Sequence, residues 1–400
     1  MFVPALLITG PFLPDLTITI LAIFFLFKKN NFNYLNNIFI KFLLLFWAIC
    51  VASSIISDFK WYSLETSVPY IRFIIFSIMV TLVADSNIDF KIKFGNFLFI
   101  TMFILILDSY IQLFFGKNII GMVRNDPKRL SSFFGDEYVL GSYLLKMTPL
   151  LFWSFFDNQK KTNFIVFFFL ILVMPIIFFS GQRASLIMSF FLILGIVIFL
   201  KKNLVLYISL VICFLLISLN LIFNKNYNER ILNDIRSNIK YENKFITKTN
   251  EIKSLPFSIL SPTHTSLYFT GIEMFKTNYF FGHGPKSFRI LCKKYELNKI
   301  GCSTHPHNFY IQALAEIGLF GFFMLFFGFI YFVYKLFSKF NDLLVKKKIA
   351  PNIFLIMGIL IIFFPFQPNG NLFGNWSSIP TFLTIGLYFY DIKLINKKIK

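Results

Sequence analysis

The chain has 400 residues, enough for two or three soluble domains, yet 56% are hydrophobic and 59 are phenylalanine, far more than a soluble core uses. A net charge of +20 would suit a nucleic-acid partner, but many of the lysines collect in alternate short loops and in the C-terminal tail. That alternation is the mark of membrane orientation, with the Lys-rich side cytoplasmic, so no nucleic-acid partner is expected.

Apolar runs long enough to cross the hydrocarbon as helices recur along the whole chain. The predicted spans are 5–27, 38–56, 68–84, 95–115, 138–156, 164–179, 184–200, 204–223, 309–334, 351–366 and 379–390. Gly10, Pro11 and Pro14 interrupt the first, so it reads as one span or as two helices joined by a turn. The expected fold is therefore all-α, a polytopic transmembrane bundle of about 11–12 spans with its C-terminus in the cytoplasm. It divides into an N-terminal bundle (1–223), one large non-cytoplasmic loop (224–304) and C-terminal spans with a cytoplasmic tail (305–400). Met1 leads straight into apolar sequence, so no cleavable signal peptide is expected.

The 116–136 loop, GKNIIGMVRNDPKRLSSFFGD, is dense in Gly, Asn and Arg and reads as a connector that folds over a site. The 224–304 loop is mostly polar but contains amphipathic pieces such as 266–275, so it reads as a small helical cap. Cys292 and Cys302 lie ten residues apart in it, and on an oxidising face they are expected to bridge. Cys50 and Cys213 fall inside spans and read as packing residues.

Charges within spans are costly and need partners. Arg72 lies in the third span and Asp108 in the fourth, with Gln112 one turn later on the same face. The simplest reading pairs Arg72 with Asp108 inside the bundle. Arg183 instead follows Ser180, Gly181 and Gln182 in a tight turn at a helix start, where a guanidinium and free backbone amides suit an anion such as phosphate.

All four histidines, His264, His283, His305 and His307, lie in or just before the junction where the large loop enters the ninth span. A neutral imidazole there is suited to take a proton from a hydroxyl, with Asn308 placed to orient it. Glu316 is two and a half turns further on and is not a direct partner in a regular helix. His305 and His307 at i, i+2 match no dependable metal signature, so a base is favoured over a metal site and no cofactor is expected. His307 is favoured over His305, because Pro306 biases His305 to extended backbone while uninterrupted apolar helix follows Asn308.

Several segments resemble the O-antigen ligase and polymerase superfamily of bacterial envelope-sugar transferases. The pattern His-Asn, nine residues, Gly, two residues, Gly is met by His307, Asn308, Gly318 and Gly321. GHGPKSFR is similar to the family's Gly-x-Gly-Pro segment, SGQRAS to its short Arg-bearing turn, and RLSSFFGDEYVLGSYL to the segment after the fourth span. The resemblance implies transfer of a glycan from an undecaprenyl-pyrophosphate carrier to an acceptor hydroxyl, without metal, in the inner membrane of a bacterium. It gives His307 the base role and Arg183 a pyrophosphate role. The family's second loop arginine has no direct match: SPTHTSLYFTGIEMFK offers His264 there, with Arg230 and Arg289 as alternatives. The acceptor is either lipid A–core, the favoured choice, or a growing glycan, and a protein acceptor on the same fold stays open. A flippase for a lipid-linked sugar would explain the bundle but not the histidine-bearing loop, and the histidines alone would also suit a metal-dependent hydrolase.

Overall fold

The computed structural model describes residues 1–27, 34–126, 128–156, 159–199, 204–223, 244–246, 252–254, 262–296, 301–346 and 351–399. Arg230, several of the loop lysines and most of the 224–261 stretch lie outside these residues. The described chain is a bundle of apolar helices. Five helical stretches are long and apolar enough to cross a membrane, and four shorter apolar helices accompany them.

The first span is interrupted as its Gly and Pro predict: α1 (Val3–Ile8) and α2 (Phe12–Leu26) meet at Gly10, whose φ is 110°. Then follow α3 (Ile38–Ile56), α4 (Lys60–Ser67), α5 (Ile71–Asp85) and α6 (Phe90–Phe115). Asn37 caps α3 by accepting from the Phe39 amide at 2.9 Å, and left-handed Gly116 ends α6. α7 (Leu140–Phe155), α8 (Gln159–Phe168) and α9 (Met174–Phe179) come next, with one π-helical turn, Phe169–Val173, joining the last two. α10 (Arg183–Phe199) and α11 (Leu204–Phe223) complete the N-terminal half.

A two-stranded antiparallel ribbon, Lys244–Ile246 with Ile252–Ser254, is a small β addition to the otherwise helical fold. α12 (Pro262–Thr277) and α13 (Phe288–Tyr295) form the expected helical cap. It has its own core of Leu267, Met274, Phe288, Cys292 and Ala315, and Cys292 and Cys302 are bridged across it. α14 (Phe309–Lys346), α15 (Asn352–Ile362) and α16 (Asn375–Ile399) return to the bundle.

Small residues set the helix crossings, since lipid offers no apolar driving force between helices. At the α5–α16 crossing a Cβ on Gly386 would lie 2.6 Å from the Ser77 carbonyl oxygen, and the Thr81 hydroxyl donates to the Gly386 carbonyl at 2.9 Å. α7 packs against α15, where Gly358 faces Pro149.

Two expectations need correction. Arg72 does not pair with Asp108; its Nη2 donates to Asp15 Oδ1 of α2 at 2.7 Å. The reason is packing: α2 lies along α5, so Asp15 supplies the nearest carboxylate. Asp108 and Gln112 do share a buried face of α6, but they serve the 116–136 connector. Asp108 accepts from the Ile119 amide at 2.8 Å and from the Ser132 hydroxyl, while Gln112 Oε1 accepts from the Ser131 and Ser132 amides at 3.0 and 2.8 Å. The second correction is α14 itself, which is not uninterrupted. It breaks at Gly318 (φ 66°, ψ −162°), a conformation open essentially to glycine alone.

Candidate functional site

The break in α14 and the Gly-x-Gly-Pro segment are two halves of one joint. At the break, helix carbonyls lose their usual partners, and the loop supplies replacements. The His283 amide donates to the Ala315 carbonyl at 3.1 Å and the Gly284 amide to the Glu316 carbonyl at 2.8 Å, while the Leu319 amide donates back to the Tyr279 carbonyl at 2.8 Å. Backbones approach so closely that no Cβ fits: on Gly282 it would lie 2.5 Å from the Glu316 carbonyl carbon, and on Gly318 2.2 Å from the Phe280 carbonyl oxygen.

Side chains finish the joint. The Glu316 carboxylate accepts from the Phe288 amide at 3.1 Å, at the first turn of α13, where a helix favours negative charge. Ser53 and Ser57 of α3 donate to the carbonyls of Phe281, Glu316 and His283. Glu316 is thus no partner of a histidine but the pin that fastens the loop to the membrane helix.

The 363–374 loop is fastened from the other side. Asn308 caps α14, accepting from the Tyr310 and Ile311 amides at 2.9 and 3.0 Å, and donates through Nδ2 to the Pro365 and Gln367 carbonyls. Asn308 therefore does not orient His307 through its side chain, as expected from sequence. Gln312 bonds Glu316, Asn371 and the Leu372 amide at 2.8–2.9 Å. The Asn369 amide donates to the His307 carbonyl at 2.8 Å.

His307 itself stands in the left-handed region, φ 57°. Its ring centroid lies 4.0 Å from that of His305 and 5.6 Å from that of His264 on α12. Arg183 is near enough for its charge to be felt at His264, and Arg289 for its charge to be felt at His305 and Glu316. Five residues singled out from sequence thus converge. His283 does not join them. Its ring bonds Thr277 and the Met274 carbonyl under the cap, at 2.9 Å each.

Burial makes these imidazoles poor cations. It pushes His264 down to about 4, helped by His307 and Arg183, and His305 down to about 3, helped by His307 and Arg289. Burial lowers His307 as well, while a backbone hydrogen bond with Asn369 pulls the other way. All three are neutral at pH 7. His305 is the more enclosed of the adjacent pair, with Nδ1 held by Thr304 at 2.9 Å, while His307 keeps an accessible face.

Tyr268, whose hydroxyl reaches the His307 carbonyl at 3.4 Å, stands at the same place, and Lys286, with φ 63°, lies near enough to Arg289 and Glu316 for their charges to be felt; neither was singled out from sequence. Among the described residues no group of three His, Cys, Asp or Glu is arranged to hold a metal ion.

Residues 166–326 match the model of the family described as O-antigen ligase. That match supports the O-antigen ligase/polymerase superfamily. It supports a membrane enzyme of that type, and the matched segment contains Arg183, His264, Arg289, His305, His307 and both glycines of the α14 joint. No curated protein matches the chain by sequence.

Proposed function

We propose that the protein transfers a glycan from an undecaprenyl-pyrophosphate carrier to an acceptor hydroxyl, in the inner membrane of a bacterium with the C-terminus cytoplasmic, and that the acceptor is lipid A–core. The observation that carries this reading is the convergence of neutral His307 with Arg183 and Arg289 at one end of an apolar bundle.

In this reading the acceptor oxygen attacks the anomeric carbon of the donor sugar, and His307 takes the hydroxyl proton. The bond from that carbon to the diphosphate oxygen breaks, and the diphosphate leaves with the bonding pair. Arg183 and Arg289, with His264 as a neutral donor, stabilise the negative charge that builds there. His305 packs against His307 and adds no positive charge. The bundle of 1–223 and the spans after 305 serve as scaffold, and 224–304 as the cap.

An apolar cavity between α3, α14, α15 and α16, lined by Phe42, Phe46, Phe309, Phe329, Phe363 and Phe382 among others, starts beside the His307 loop and suits a lipid tail. A flippase would not require histidines held neutral beside arginines. Deleting the gene and resolving the envelope polysaccharide on a gel tests the assignment. Loss of all long-chain material on lipid A supports ligation, single-repeat capping supports polymerisation, and an unchanged ladder contradicts both. Unchanged transfer after adding a chelator to purified protein separates this chemistry from a metal-dependent hydrolase.

A further inference from the structure

One charged side chain in the bundle has no role in the joint or at the histidines. Lys146 lies in α7, six residues after its start, about 9 Å along the helix. Among the described residues nothing forms a hydrogen bond or an ion pair with it. An unpaired ammonium inside a bundle is expensive and in general marks a polar path or a ligand.

The burial pattern of α7 says which. From Leu140 to Ser154 every residue is buried except Ser142 and Lys146. A lysine on the lipid face would have accessible neighbours three and four positions on, since those share its side of the helix. Pro149, Leu150 and Trp153 are instead enclosed, with Pro149 against Gly358 and Trp153 donating to Asp391 at 2.8 Å. Snorkelling to lipid headgroups is therefore closed to Lys146. Val139, Ser142 and Lys146 make one accessible stripe that stops at Lys146: a narrow crevice with the lysine as its floor.

The mouth of that crevice is the Arg183 turn. Gln182 Oε1 accepts from the Ser142 amide at 2.6 Å, and its Nε2 donates to the Tyr138 carbonyl. A Cβ on Gly141 would sit 2.4 Å from the Ser180 hydroxyl, so the turn lies directly on the first turn of α7. Helical side chains lean toward the N-terminus, which aims the ammonium back up toward Gln182 and Arg183.

We propose that Lys146 binds a phosphate oxygen of an anion that enters past Arg183, with the lysine below and the guanidinium above. This deepens the proposed function, in which the anion is the diphosphate of the donor. Arg183 lies within the family-matched segment and Lys146 outside it.

The test uses purified full-length protein in detergent and a charged, water-soluble thiosulfonate. Wild-type protein sets the background from Cys50 and Cys213. Lys146→Cys and Ser142→Cys are expected to be modified, and millimolar inorganic pyrophosphate is expected to slow modification of Ser142→Cys at least tenfold, a protection that Lys146→Met added to Ser142→Cys should remove. Leu150→Cys, one turn deeper, is expected to stay unmodified. Micelles of anionic phospholipid without pyrophosphate are expected to give no protection. Equal inertness of the 142, 146 and 150 variants would remove the crevice, and labelling that pyrophosphate leaves unchanged would remove the anion site. Protection by phospholipid alone would assign the crevice to lipid headgroups and overturn the proposal. Because pyrophosphate binding needs no turnover, these outcomes stand apart from failure of the transferase reading, which would appear as transfer that survives loss of His307.

Discussion

A Cβ on Gly318 would lie 2.2 Å from the carbonyl oxygen of Phe280, so the break in α14 and the loop before the Gly-x-Gly-Pro segment fit only while residue 318 is glycine. Gly318→Ala is expected to insert but to lose nearly all transfer, because both the left-handed backbone and the contact must yield. Trypsin accessibility of the 278–288 segment checks it: faster cleavage in the variant is expected, and unchanged cleavage with unchanged transfer would show the joint to be dispensable.

The Arg72 assignment is tested by a double-mutant cycle. Arg72 and Asp15 keep 24% and 32% of their side-chain surface, so screening limits their coupling to roughly 0.5–1 kcal/mol. Arg72 and Asp108 share no contact and are expected to be additive. Unfolding free energies of the single and double variants, Arg72→Met with Asp15→Asn or Asp108→Asn, decide between the pairings.

The helices and the break in the first span were legible in sequence because apolar run length and Gly or Pro alone determine them. So were the cap and the Cys292–Cys302 bridge, which spacing suggested. Arg183, His264, His305 and His307 stood out in sequence as polar groups gathered near span ends, and Arg289 only through the family resemblance; the roles of all five are part of the proposal. What was not legible depended on which helices touch. Asp15 could not be chosen over Asp108 without knowing that α2 lies on α5. Glu316 looked idle because a regular helix was assumed, and only the Gly318 break turns its carbonyl and carboxylate toward the loop. The signal lay in Gly318 itself, read from sequence only as part of the Gly, two residues, Gly pattern of the family and not as a change of backbone.

Acid should destabilise the protein through its buried histidines. His264 and His305 titrate near 4 and near 3 when folded, against an ordinary 6.5. Between those values the unfolded chain binds protons that the folded chain refuses, so stability rises with pH there and falls as the solution is acidified below about 6.5. Thermal unfolding midpoints between pH 7 and pH 4 should decline for the wild type and decline less for the His264→Gln/His305→Gln variant. Parallel curves would mean these rings are not held neutral by burial.

Reduction should matter as well. The bridge closes ten residues beside Thr304 and His305, which the chain-entropy model values at about 2–3 kcal/mol. Cys292→Ala/Cys302→Ala protein is expected to melt earlier and to transfer more slowly. A melting temperature equal to that of the oxidised wild type would show that the cap core alone holds this segment.

The most direct test is the transfer rate of His307→Ala beside that of His305→Ala, measured with purified proteins that insert and elute like the wild type. Loss of a general base costs on the order of 10²–10⁴-fold. His307→Ala is expected to fall by that factor and His305→Ala by less, since His305 only packs against the working ring. A His307→Ala protein with near-normal transfer beside an inactive His305→Ala protein would contradict the account.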